Sequence, residues 1–381
     1  MKIVHLCLSC FYIDDFSYQE NLLPKYHSIQ GHDVTVLASR VSYDKKTGHA
    51  VLVDAPAEYI SDSGFKVKRL EYKSPLKINK IIRRYNGLKL HLEEEHPDVI
   101  FIHGLSFWDV RVVCNYLDAH PNVVVYADSH TDQFNSARNI LSKYILHRIL
   151  WRHCANKIEP YCQKIWGVTP LRCDFLKSVY NISPDKVDYL PMGVDDLNIP
   201  TNVSEIRTNV RQKLNVNDRD ILIFTGGKVD IRKKTENLIE AILSQKVDAH
   251  LVICGAITPE MQWINDIISK AVNIHYVGWC SSQEVIEYMI ASDIACFPGT
   301  HSTLWEQSVG MALPSVFKSW PGMSHVQVNG NAEMLQSDSV TDIICAINTT
   351  LSKLAYKKDM AAKAAKEFSY SYISKKAIGL N

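Results

Sequence analysis

Apolar residues gather in short unbroken runs: KIVHLCL, HDVTVLAS, DVIFIHG and NVVVYADS in the first half, then DILIFTGG, AHLVICGA, NIHYVGW and SDIACFPG in the second. Such Val- and Ile-rich runs, bounded by turn formers, predict strands buried on both faces, as the strands of a parallel sheet are. Helical stretches separate them, and those of the second half are rich in Glu, Ala, Leu or Ile. Strand and helix in alternation imply crossover connections. The pattern therefore predicts an α/β chain of two doubly wound, Rossmann-like domains. Periodicity lapses in LPMGVDDLNIP, between Pro191 and Pro200, which divides the chain into 1–193 and a second domain from 194. A Lys- and Ala-rich stretch from about Tyr356 to Leu380 predicts a final helix.

Length agrees with two domains, since 381 residues exceed the roughly 250 to 300 at which single cores stop growing. Apolar residues at 46% and charged ones at 22% are ordinary globular usage. The formal charge of +1 leaves no global field of the kind nucleic-acid binders build, so no nucleic-acid partner is expected. The opening MKIVHLCLSCFYIDD has a short apolar run, no small-residue cleavage site, and Asp14 and Asp15 to close it. It reads as a first buried strand rather than an export signal. No stretch approaches the roughly 20 apolar residues that span a bilayer. The 10 cysteines are scattered and suit a reducing, cytoplasmic compartment. Cys7 and Cys10 form a CxxC without a second pair, so neither a metal nor a redox role is expected.

Ligands of such sheets bind beyond the carboxyl ends of the strands. At the end of DILIFTGG stand Gly226, Gly227, Lys228, Val229, Asp230, Ile231, Arg232, Lys233 and Lys234. Two glycines and clustered cations suit a phosphate, and also a solvated basic turn. After SDIACFPG come Thr300, His301 and Ser302, then a helix opened by Thr303 and Leu304 with Glu306 in its first turn. Free amides at a helix start suit a phosphate, and Glu306 could accept from a ribose diol. Thr303-Leu-Trp-Glu306 equally fits a capping box, in which Glu306 only satisfies the helix end.

Taken in order, these segments resemble the retaining GT-B glycosyltransferases that build bacterial surface polysaccharides, glycolipids and sucrose-type conjugates. The resemblance rests on YQENLLPKYHSIQGHDVTVLAS, IFIHG, VVYADSHTD, LPMGVD, GGK with KK four residues on, YVGW and TLWEQSVGMALPSV, over essentially the whole length. It implies two Rossmann-like domains whose parallel sheets face a central cleft, with the acceptor on the first domain and the donor on the second, and with 366–381 returning to the first. It further implies hexose transfer with retention from a UDP- or GDP-linked sugar to a glycan or lipid-linked saccharide, with no cofactor and no metal.

Position by position, the resemblance makes His130 the acceptor-domain histidine beside the reacting carbon. Lys228, where the family usually has Arg, and Lys233 become the holders of the diphosphate, as catalytic residues with His130. Glu306 matches the second glutamate of the family's Glu-seven-residues-Glu motif, the ribose ligand. The first glutamate is missing, and a shorter loop offers Gly299, Thr300, His301 and Ser302 in its place. Gly227, Gly278, Thr303 and Leu304 complete the expected donor side. Ser17, Tyr18 and Gln19, in the loop from Asp14 to Glu20, and His103, at a neighbouring strand end, complete the acceptor side.

Two segments are locally basic and amphipathic: Lys77, Lys80, Arg83, Arg84 and Lys89 among Leu76, Ile78, Ile81, Ile82, Leu88 and Leu90, and Lys143, His147, Arg148, Arg152 and Lys157 with Tyr144, Leu150 and Trp151. They suit peripheral contact with an anionic membrane, and equally helices packed on a sheet. Fold alone does not fix activity. A nucleotide-sugar epimerase and a non-catalytic glycan- or partner-binding protein on the same scaffold are the alternative readings.

Overall fold

The computed structural model describes residues 1–9, 12–14, 16–43, 50–53, 58–73, 75, 78, 81–132 and 142–380. Cys10, Asp15, Leu76, Lys77 and Lys80 lie outside the described residues, as do the side chains of Lys143 and Tyr144. The chain divides into two compact units, Met1–Pro191 with Ile373–Asn381, and Met192–Tyr372.

The first unit carries strands β1 (Lys2–Cys7), β2 (Asp33–Ser39), β3 (Val41–Tyr43), β4 (Ala50–Leu52), β5 (Glu58–Ile60), β6 (Lys66–Leu70), β7 (Val99–His103), β8 (Val124–Ser129), β9 (Cys162–Gly167) and β10 (Val187–Tyr189). Eight of them form one sheet in the order β10-β9-β8-β7-β1-β2-β6-β5. All its pairings are parallel except β5 with β6. β3 and β4 make a separate antiparallel pair. The chain starts in the middle of the sheet, and its strand order reverses between β1 and β7.

The second unit is a six-stranded, wholly parallel sheet of β11 (Leu222–Gly226), β12 (His250–Cys254), β13 (Ile274–Gly278), β14 (Ile294–Phe297), β15 (Ser315–Lys318) and β16 (Ala332–Leu335). Its order, β13-β12-β11-β14-β15-β16, reverses between β11 and β14. Successive residues of a strand point to opposite faces. Ile223, Ile253 and Ile294 accordingly pack with helices Thr235–Leu243 and Val340–Ser352 on one face, while Phe224, Val252 and Phe297 pack with Tyr288 and Met289 on the other. Both faces are covered, which is why the strands read as unbroken apolar runs.

The final helix is not continuous. Helix Leu354–Ala365 and a short turn Lys366–Phe368 end at Ser369, whose backbone is extended, and helix Tyr370–Ala377 follows. The break comes from pairing with the interdomain linker: Val194 N–H donates to Phe368 O at 2.9 Å and Tyr370 N–H to Val194 O at 3.1 Å. The extended bond satisfies backbone groups that a continuous helix would have used internally.

Candidate functional site

The second unit gathers its chemistry where the strand order reverses, the place at which such sheets bind ligands. Gly227, at φ +102° beyond β11, donates its N–H to Cys254 O at 2.9 Å. A Cβ on Gly255 would stand 1.9 Å from Gly227 O, so only glycine permits this close passage. Lys228 follows with its side chain exposed. Buried Asp230 accepts from the Arg232 backbone and guanidinium, folding the basic turn back on itself.

That turn meets the loop after β14. Lys233 Nζ donates to Thr300 O at 2.7 Å and His301 O at 3.0 Å. Burial pulls its pKa down to about 8. A Cβ on Gly299 would lie 2.3 Å from Arg232 O, so the two loops touch through glycine. Ser302 Oγ is buried and has no hydrogen-bond partner among the described residues, and the Cβ position of Gly227 lies 3.9 Å from it. Gly278, at φ +75° at the end of β13, has open space around its Cβ position.

Thr303 makes no capping hydrogen bond, so the capping-box reading of Thr303 and Glu306 fails. Glu306 is fully buried, and its Oε1 instead lies 2.7 Å from His301 Nε2 and 2.8 Å from His325 Nε2. Burial alone would raise its pKa, but His301 and His325 more than reverse this and hold the carboxylate well below its ordinary range. Glu306 Oε2 has no partner among the described residues. The ligand atoms of His301, Glu306 and His325 lie within 4.8 Å of one another, a donor set of the kind zinc accepts. Sequence spacing gives no hint of it, because His325 comes from a short turn beyond β15. As it stands the cluster is hydrogen-bonded, one carboxylate oxygen serving two imidazoles.

The first unit has its own cluster at the matching reversal. Asp128, near the end of β8, is fully buried. Its Oδ1 accepts from Gly104 N–H at 3.0 Å, and its Oδ2 accepts from Gln19 Nε2 at 3.0 Å. The same Oδ2 lies 3.0 Å from His103 Nδ1 and 3.5 Å from His130 Nε2. His130 is partly exposed, whereas His103 and Gln19 are each 2% exposed. His103 and Gln19, both expected on the acceptor side, are buried and each contacts Asp128. Tyr18 is exposed and Ser17 half-buried at the entry to helix Gln19–Ile29.

Asp128 was missed in the sequence. The available signal was a carboxylate inside the apolar run VVYADS, because a buried charge requires partners. His5, fully buried against His103, and His27, fully buried against His5, were missed as well.

The basic segments also read differently in place. Arg83 donates to Ser106 O at 2.7 Å, and Arg84 lies 3.5 Å from Asp109, so both serve the protein's own framework. His147, expected on a basic face, is buried 2.9 Å from Tyr180 Oη. Among the described residues no helix is long and apolar enough to cross a membrane.

Two family models match: Glycosyltransferase Family 4 over residues 20–196, and Glycosyl transferases group 1 over residues 206–313. Among curated proteins no sequence match is found. Solved structures similar to this fold include sucrose-phosphate synthase from Thermosynechococcus elongatus, at TM-score 0.67 and 14% identity, covering 98% of this chain and 96% of that one. Anabaena HepE, solved in complex with UDP, is similar at TM-score 0.66 and 14% identity, covering 99% and 98%. A putative UDP-N-acetylglucosamine 2-epimerase from Listeria monocytogenes is similar at TM-score 0.59 and 11% identity, covering 98% and 94%. With both halves matched in order, and with two Rossmann-like units each reversing strand order at its cluster, the chain belongs to the group 1 glycosyltransferases of the GT-B fold.

Proposed function

We propose that the chain transfers a hexose-type sugar from a UDP- or GDP-linked donor to a glycan or lipid-linked saccharide, with retention and without a metal, in surface polysaccharide assembly. The observation that carries this reading is Lys233: its ammonium gives two N–H groups to Thr300 O and His301 O, which leaves the third for a diphosphate oxygen. A departing diphosphate gains negative charge as the sugar bond breaks, so cations held there favour the transition state over the ground state. Lys228, exposed on the same turn, supplies a second charge. Gly227 and Gly278 leave room for the nucleotide, Ser302 Oγ and the Thr300–Leu304 backbone meet sugar or phosphate oxygens, and Glu306 Oε2 is the carboxylate atom left for a ribose hydroxyl. On the acceptor side His130 stands beside the reacting carbon, with Ser17 and Tyr18 at the loop that precedes the first helix.

Screening UDP- and GDP-linked sugars for binding and acceptor-free hydrolysis, then following the anomeric product by NMR, tests the whole reading. Release of free nucleotide with a retained linkage supports it. An isomerised nucleotide sugar without acceptor would make the protein an epimerase, and binding of glycan alone would make it non-catalytic. Alanine at Lys228 or Lys233 is expected to lower kcat by on the order of 10².

A peripheral membrane role is the second part of the proposal. It is supported by exposed Ile145 and Ile149 beside Arg148, and by exposed Ile78 and Ile81. Shallow apolar insertion with each nearby cation contributing about 1 kcal/mol suffices for reversible binding to anionic lipid. Co-sedimentation should favour anionic over neutral vesicles and fall in Ile145→Ser/Ile149→Ser; equal recovery with both lipids would leave this face as plain surface.

A further inference from the structure

Behind Asp128 runs a chain of three buried imidazoles. His103 Nε2 lies 3.0 Å from His5 Nδ1, and His5 Nε2 lies 3.0 Å from His27 Nδ1. The line ends 2.8 Å from His27 Nε2 at the backbone oxygen of Ser374, on the terminal segment that belongs to the first unit. All six ring nitrogens are in contact, and none of the three rings is more than 2% exposed. Both ends of the line are acceptors, a carboxylate at one and a carbonyl at the other.

Counting protons fixes the state of such a line. Four contacts join Asp128, His103, His5, His27 and Ser374, and each needs one proton. Three neutral imidazoles carry three, one short, and a carbonyl can donate none. With Asp128 ionised, as its bonds from Gln19 Nε2 and Gly104 N–H favour, three neutral rings would leave one contact setting two lone pairs against each other in a dry interior, which costs more than an unmade surface hydrogen bond.

We propose that His5, His27 and His103 act as positioning residues that share one extra proton, forming a single buried cation that fixes Asp128 as a carboxylate beneath His130. The charge sits at His103. Gln19 Nε2 and Gly104 N–H already donate to Asp128 and favour its ionised form. His5 and His27 then each carry their proton on Nε2 and pass the hydrogen bonding outward to Ser374. The direction of every shift agrees: burial and its histidine neighbours hold His5 well below its ordinary value, burial holds His27 down to about 4, and His103 rises to about 9, because Cys7 and Asp128 outweigh its burial. The groups facing the line are Cys7 on β1, Glu20 on helix Gln19–Ile29, His32 beyond that helix, Asp128 near the end of β8 and His130 just after it.

The consequence reaches His130. With a cation on one side, the Asp128 carboxylate is already balanced when it meets His130 Nε2; without it, the carboxylate's full charge acts on His130. The proton count stands on geometry alone, and only its link to turnover rests on the acceptor-side role proposed above for His130.

Long-range proton–nitrogen NMR of the whole chain with labelled histidine decides the matter. At pH 7 one buried ring should show two protonated nitrogens, and two should show the neutral Nε2–H form. Three neutral buried rings would overturn the proposal, and the native protein alone gives that answer. In His27→Phe only two contacts remain between Asp128 and His5, which two neutral rings can supply. The imidazolium should then titrate at least about one pH unit lower. An unmoved midpoint in a folded His27→Phe protein would show that the rings are merely packed.

Discussion

Near pH 8 the binding of a nucleoside diphosphate should take up a proton, and Lys233 is the group that does so. Burial has pulled its pKa from 10.5 to about 8, although two carbonyl oxygens accept from its ammonium. A diphosphate oxygen on the third N–H adds a charge-assisted contact and restores the cation. At pH 8 about half of the free protein carries the charge, so uptake is about half a proton per nucleotide, falling to about a tenth at pH 7 and rising to about nine tenths at pH 9. Affinity should then fall by up to about tenfold per pH unit above 8. The sign for stability runs the other way: the unfolded chain binds more protons between pH 8 and 10.5, so the ligand-free protein gains stability from this group as pH rises through that window. Calorimetry of UDP and GDP binding at pH 7, 8 and 9, in buffers of different ionisation enthalpy, measures the uptake directly. Lys233→Arg, charged throughout, should abolish it. Buffer-independent enthalpies at pH 8 and 9, or equal uptake in Lys233→Arg, would refute the assignment of the diphosphate to this ammonium.

Asp128→Asn should cost about 3 to 5 kcal/mol, the range for breaking a buried ion pair. Because the folded pKa of His103 is raised to about 9, the native protein should lose this contribution between about pH 6.5 and 9, and urea unfolding of the variant should lack that slope. Glu306→Gln should weaken nucleotide binding and lower stability by about 1 to 3 kcal/mol, since two imidazoles lose their carboxylate. The stability loss should shrink in acid as the native Glu306 becomes protonated, and a pH-independent difference would deny the ion pairs. Activity should survive chelation. Loss in EDTA with recovery on adding manganese or zinc would place a required ion on His301, Glu306 and His325.

The central strands were legible because both of their faces are buried. Leu222, Ile223 and Phe224 leave no polar position to break the run, so even a single sequence announces the strand. The edges were not. β6 reads KVKRL, with Lys66, Lys68 and Arg69 in a strand, because Lys68 pairs with Glu95 and Glu94 while Arg69 reaches Asp14. Each cation is held by a carboxylate from a distant segment. The final helix was misread for a related reason: Lys366, Glu367 and Phe368 have helical composition, and only tertiary pairing with Val194 breaks the helix there.

The two clusters divide along the same line. That of the second unit left a local pattern, glycines and lysines within a few residues of a strand end, and there Gly299 packs against Lys233 while Gly227 lies beside Ser302 and Leu304. What stayed hidden is the chemistry assembled across the chain. His5, His27, His103 and Asp128 come from β1, its following helix, β7 and β8, and singly each looks like an accident within an apolar stretch. Burying one imidazole is costly, and burying three in series without a terminal anion would be costlier still. Asp128 makes the arrangement stable by balancing the one proton the line must hold, so the four residues stand or fall together. Any one replaced alone should cost more than its own contacts suggest, and paired replacements within the line should cost less than the sum of the single ones. A double-mutant cycle of His27→Phe with Asp128→Asn measures that coupling, and strict additivity would mean that the charge is not shared.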